Sequence, residues 1–265
     1  MNIYLKELKS HRKSLIFWSI GVFLMVASGM AKYSAYSSSG QSINDLVADM
    51  PKSLKAVMGF SSMDLSKVSG YYVVLFIYLL LMATIHAVML GATIIAKEER
   101  DKTSEFLFVK PVSRSTVITA KLLAAFTNIV IINLVTFLSL ITLVRKYSNG
   151  EAINGDIAIT MVGMFILQVL FLVIGSALAA VKKKPKTAAS LAAGILLLTY
   201  MLSIFIDLND KIAGLKYFTP FKYFEAKNIM FGGGLDVIFV VLSCALIAAL
   251  SLVTFVFFRK RDLNV

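Results

Sequence analysis

Cysteine is nearly absent: Cys244 is the only one in 265 residues, so the chain can form no internal disulfide and no cysteine-based metal cluster. Histidine is almost as scarce, with His11 and His86 alone, and there is no HExxH pair. A membrane-embedded protease or acyltransferase needs a nucleophile with a base in reach, or a bound metal, and these residues offer little to build one. No glycine is followed directly by lysine, so the GxxxxGK[ST] loop that cradles nucleotide phosphates is missing. Gly232-Gly233-Gly234 does not replace it, because Asp236 follows closely and a carboxylate there would repel phosphate. The expectation is a chain with no catalytic residue, no metal site and no cofactor of its own.

Charge is also sparse, at 16% of residues against 58% hydrophobic, which is too apolar for folding around one water-exposed surface. A bilayer core about 30 Å thick needs about 20 apolar residues in helix. Six runs qualify, over residues 14–33, 69–96, 116–144, 157–181, 187–206 and 235–258. The expected fold class is therefore all-α: a polytopic membrane protein, one transmembrane domain over 1–265 with six transmembrane helices. The second and third runs exceed the core thickness and predict tilt or extension past the headgroups. None holds Asp or Glu except Asp236 at the edge of the last, which argues against a proton-driven carrier, since such carriers place carboxylates within the membrane.

The net charge of +12 would suggest nucleic acid on a soluble domain, but here the basic residues sit in short segments between apolar runs. With the N-terminus inside, 17 of the 27 Lys and Arg fall in cytoplasmic segments, including Lys6, Lys9, Arg12 and Lys13, then Lys182, Lys183, Lys184 and Lys186, then Arg259, Lys260 and Arg261. Cytoplasmic loops are enriched in such residues, so both termini are expected in the cytoplasm and no nucleic-acid partner is expected. The alternative of a cleaved signal peptide rests on Ala27, Gly29 and Ala31 near the end of the first run. In the 13-residue lead, Ile3, Tyr4, Leu5 and Leu8 alternate with basic residues, which suits a short N-terminal interfacial helix or a plain topology tag.

Several loops carry pattern of their own. Residues 43–60 space Leu46, Met50, Leu54, Val57 and Met58 at near-helical intervals around Pro51, predicting a small helical cap outside. Within 207–236, Tyr217, Phe218, Phe221, Tyr223 and Phe224 surround Pro220, and an interfacial aromatic belt is the expected reading rather than a ligand site. Between the second and third runs, Glu98 precedes Lys102 by four residues, Phe106, Leu107 and Val109 follow, and Pro111 disfavours helix at Lys110. Ser113 or Ser115 can cap the next helix, which enters the third run past a snorkelling Lys121. Helix, turn and new helix joined to two spans can act as a lever for a soluble partner, or be a solvated connector.

This stretch resembles the membrane subunits of type-2 ATP-binding-cassette (ABC) exporters, in which a glutamate stands a few residues ahead of G-T-x-E-x-L-L-x-x-P-[VI]-S-R. The matching positions are Glu99, Thr103, Glu105, Leu107, Pro111, Val112, Ser113 and Arg114, followed by Lys121, while Lys102 and Phe108 depart from the pattern. MPKSLKAVMGF before the second run and KYFTPFKYFEAKNI before the sixth look like the same family, so the resemblance covers nearly the whole chain. It implies a cytoplasmic coupling helix within 97–115 that docks on a separate ABC ATPase subunit. Glu98, Glu99, Arg100, Thr103 and Glu105 would contact or orient that docking site, and Pro111 and Arg114 would fix the turn. It also implies two ATPase copies carrying ATP and Mg, and a second permease as homodimer or heterodimer, in a cell membrane of bacterial type.

Polar residues within the runs include His86, Asn128, Asn133 and Gln168, the candidates for lining a pathway. Interhelical hydrogen bonds are the competing use, and for His86 a neutral, hydrogen-bonded ring competes with a cargo contact. Runs rich in Leu, Ile, Val, Phe and Met suit a hydrophobic or amphipathic cargo such as a drug, an antimicrobial peptide or a lipid-like molecule. The alternative function is a self-sufficient secondary transporter or channel, for which the chain shows neither a filter-like sequence nor an inverted repeat with broken helices.

Overall fold

The computed structural model describes residues 2–38, 43–60, 63–101, 112–148, 151–182 and 185–260. It is 88% helical with no strand among the described residues. Six helices are long and apolar enough to cross a membrane. They are α1 (Ile3–Ser38), α4 (Val68–Arg100), α5 (Arg114–Tyr147), α6 (Asn154–Val181), α7 (Pro185–Leu208) and α9 (Val237–Lys260). Two short helices, α2 (Ile43–Ala48) and α3 (Lys52–Met58), lie between α1 and α4. Between α7 and α9 come the 3-10 helices Asp210–Phe218 and Pro220–Lys222, then α8 (Ala226–Phe231).

The interfacial helix expected over the N-terminal lead is not a separate element, because residues 3–38 run as one helix. No Pro or Gly precedes Gly21 to break it. The apolar residues of the lead face protein: Ile3, Tyr4 and Leu8 pack against the core, and the Tyr4 hydroxyl lies 3.0 Å from Thr127 Oγ1 on α5.

Two helices form the centre. In α4 and α6, 67% and 61% of the most apolar stretch is buried, against 22% in α1 and 17% in α9. They cross where Gly91 meets Gly175. A Cβ on Gly91 would fall well inside 3.0 Å of the Leu172 carbonyl, and one on Gly175 inside 3.0 Å of the Val88 carbonyl. Only glycine lets the backbones approach so closely, as is general for small residues at membrane helix crossings. Tyr72 and Thr160 share a hydrogen bond of 2.6 Å between the same two helices, in a fully buried setting. Around this pair, α1 lies mainly on α5, α9 on α6, and α7 on α4.

The bundle has a basic end, where α1 begins and α4 and α9 finish, and an opposite end bearing the short helices. There the helical cap expected over 43–60 is present as α2 and α3, with Pro51 just ahead of the first turn of α3. Lys55 Nζ donates to the Ala48 carbonyl at 2.8 Å, joining the two helices.

The aromatic group of 217–224 departs from the expected belt. Phe221, Tyr223 and Phe224 are buried, while only Tyr217 and Phe218 face outward. Phe221 packs on Phe171 and Tyr200 at 5.3 and 5.2 Å, and Tyr223 stacks on Phe239 at 4.7 Å. The chain therefore folds back as a wedge between α6, α7 and α9. Lys222, buried in that wedge, forms ion pairs with Asp207 at the end of α7 and Glu225 ahead of α8. Burial alone would pull its pKa down, but the two carboxylates outweigh it and hold the ammonium above its ordinary 10.5.

Candidate functional site

The link between α4 and α5 is held at both of its ends by contacts made at the basic end of the bundle. At the α4 end, Glu98 Oε2 accepts from Lys121 Nζ at 2.6 Å. Lys121 is completely buried and also donates to the Ile94 carbonyl at 2.6 Å. It does not snorkel, because a carboxylate and a carbonyl of α4 reach it inside the bundle. Lys97, one residue before Glu98, donates to Glu7 Oε2 at 3.0 Å and to Ser10 Oγ at 2.8 Å on α1. Glu7 is 2% exposed, and its other oxygen lies 3.8 Å from Lys121 Nζ. His11 completes the group, its Nε2 3.8 Å from Glu7 Oε2.

At the α5 end, Ser113 occupies the N-cap, its hydroxyl oxygen accepting from the Thr116 backbone N–H at 3.1 Å. Such a cap satisfies one of the otherwise orphaned first-turn donors. Arg114 Nη1 donates to the Arg259 carbonyl at 3.1 Å in the last turn of α9. A cation suits that position, since the C-terminal end of a helix carries partial negative charge.

Of the residues expected to serve docking, Glu98 is thus turned inward onto Lys121. Glu99 is half-buried in the last turn of α4, and the exposed Arg100 pairs with its neighbour Asp101 at 2.9 Å. Thr103, Glu105 and Pro111 lie outside the described residues.

The four pathway candidates are not gathered around one cavity. Asn128 is buried and donates to the Ala124 carbonyl of its own helix at 2.7 Å. Asn133 of α5 donates to Gln168 Oε1 of α6 at 3.0 Å, a bond between helices. His86 sits 5.3 Å from the Trp18 ring of α1, and its Nδ1 has no hydrogen-bond partner among the described residues, nor does Gln168 Nε2. The cavities at the opposite end involve other residues. One of about 300 Å³ is lined by Lys55, Val73, Asp207 and Asn228, and one of about 500 Å³ by Lys222, Glu225, Asp236 and Phe239.

Sequence reasoning missed Glu7, Lys97 and Arg259 as parts of this site. A signal for Glu7 existed, since it is the only acidic residue before Asp45, set among lysines that need no partner at a membrane surface. Nothing in the sequence pointed to the backbone carbonyl of Arg259. The family model described as "ABC-2 family transporter protein" matches residues 1–263. No curated protein matches the chain.

Proposed function

The chain belongs to the ABC-2 family of transporter proteins and is thereby a membrane permease component of an ABC transporter, associating with an ABC ATPase subunit; we propose that it serves as an exporter. In this reading the basic end faces the cytoplasm of a bacterial cell, with both termini inside. Two permeases, identical or different, and two ATPases carrying ATP and Mg make up the machine. The cargo is hydrophobic or amphipathic, in keeping with membrane runs rich in Leu, Ile, Val, Phe and Met.

The observation that carries the reading is the anchoring of the segment 97–115. One end is tied by Lys97 and Glu98 to α1 and α5, and the other by Arg114 to α9. A push on this segment reaches three membrane helices at once, as a coupling element requires, whereas a solvated connector would need none of these bonds. Glu99, Arg100, Thr103 and Glu105 are the docking contacts in this scheme, and Pro111 and Arg114 set the turn. Glu98 holds the segment to the bundle. Asn128, Asn133 and the Gln168 carbonyl oxygen serve bundle packing, and His86 is the pathway candidate, its Nδ1, like Gln168 Nε2, having no partner among the described residues.

Affinity purification from the native host tests the docking assignment, comparing wild type with Glu99→Ala/Glu105→Ala. An ATPase subunit is expected to co-purify with wild type and to be recovered in smaller amount with the variant. A protein that purifies alone and transports after reconstitution without ATP would instead be a self-sufficient carrier.

A further inference from the structure

Glu7 of α1, Lys97 and Glu98 of α4, and Lys121 of α5 form a group of two carboxylates and two ammonium ions, with His11 of α1 at its edge. Lys121 is fully buried, Glu7 is 2% exposed, and the other two side chains are 18% and 15% exposed. Burying four charges together is poor value as plain stabilisation, because desolvation offsets most of the attraction and apolar residues of similar volume often do as well. What such a group can supply is register, as buried polar groups do in some helix assemblies, because these pairs join three helices in one mutual arrangement. Nor is it needed for orientation in the membrane, which exposed Lys6, Lys9, Arg12 and Lys13 already favour.

Its position is informative. Lys97 and Glu98 stand in the last turn of α4, immediately before the link to α5. From Ser38 the chain reaches α4 by way of α2 and α3 at the opposite end of the bundle, so the Glu7–Lys97 contact joins positions 90 residues apart in sequence. Higher up, α1 meets α4 through packing such as Trp18 on His86 and through the Tyr71 hydroxyl, which donates to the Gly29 carbonyl at 3.0 Å. Lys97 to Glu7 and Ser10 is the direct polar bridge from the link to α1.

We propose that Glu7, Lys97 and Lys121 are positioning residues that form a buried charge latch, through which displacement of the α4–α5 link by the ATPase is passed to α1. The proposal rests on the permease reading above. With the latch closed, α1 moves with the ends of α4 and α5 as one body. With it opened, the link still docks and α1, left with its packing on α5 and the Tyr4–Thr127 contact, follows only in small part.

The test uses the complete permease–ATPase complex in lipid nanodiscs. In a Cys244→Ser background, Lys13→Cys on α1 and Val181→Cys at the end of α6 carry spin labels, both at exposed positions of the basic end. The distance between them is measured without nucleotide and after trapping with ADP and vanadate. In the otherwise unaltered chain, trapping is expected to shift the distance. Glu7→Gln/Lys121→Met removes one charge of each sign and keeps the group neutral. This variant is expected to retain its ATPase subunit and hydrolyse ATP while most of the distance shift is lost. The milder Glu7→Gln, which still accepts from Lys97, is expected to reduce the shift without abolishing it.

A full shift in both variants would overturn the latch, as would the absence of any shift in the unaltered latch. Absence of the ATPase from the complex before any latch residue is changed would instead remove the permease reading on which the latch rests.

Discussion

Gly175 shows how much a single residue can carry in a lipid-embedded core. Any Cβ there runs into the Val88 backbone, which cannot swing aside as a side chain can. Gly175→Ala is expected to destabilise the bundle by about 1–3 kcal/mol, the usual range for overpacking. A lower unfolding temperature in detergent, with Gly155→Ala as an open-space control, is the measurement. Lys222 makes a second residue-scale case. Its folded pKa is raised above the ordinary 10.5, so the stability it contributes is complete below that pH and is lost as pH rises through the folded value. Wild type is therefore expected to lose thermal stability on titration above the ordinary lysine range, and Lys222→Met is expected to lack that component. Residue types were legible in the sequence, but their partners were not. Lys121 reads as a snorkelling lysine because the stem allows either direction, and only the arrival of Glu98 and Ile94 from α4 fixes it inside. Asn133 and Gln168 likewise read as pathway or packing until the crossing of α5 and α6 pairs them.

At the scale of elements, the six membrane helices were readable because long apolar runs allow few other structures in lipid, where every backbone group must be satisfied internally. The unbroken N-terminal helix was less legible, since basic residues suggest a change of surroundings even where the backbone continues. The aromatic wedge was harder still, because an aromatic cluster at a helix end has one composition whether it lies in the headgroups or turns inward. What turned it inward are the anchors Thr219 to the Thr199 carbonyl at 2.7 Å and Lys222 to Asp207, made by residues about fifteen to twenty positions apart. The start of α5 offers a direct element-scale test. Ser113→Ala removes the N-cap acceptor and is expected to cost about 1 kcal/mol locally. Faster amide hydrogen exchange over 114–118, with little change at the centre of α5, is the expected result.

For the whole molecule, the distribution of charge predicts a single orientation. In a Cys244→Ser background, Lys52→Cys on α3 is expected to react with a membrane-impermeant maleimide on intact cells. Lys13→Cys on α1 is expected to react only after the membrane is permeabilised. The reverse pattern would invert the topology and place the α4–α5 link out of reach of a cytoplasmic ATPase. The crossing of α4 with α6 has a further mechanical meaning. From Gly91, α4 extends nine residues to Arg100, about 14 Å, and twenty-three residues back to Val68, about 35 Å. A thrust at Arg100 that turned α4 rigidly about that point would carry its far end about two and a half times as far, as an oar moves about its rowlock.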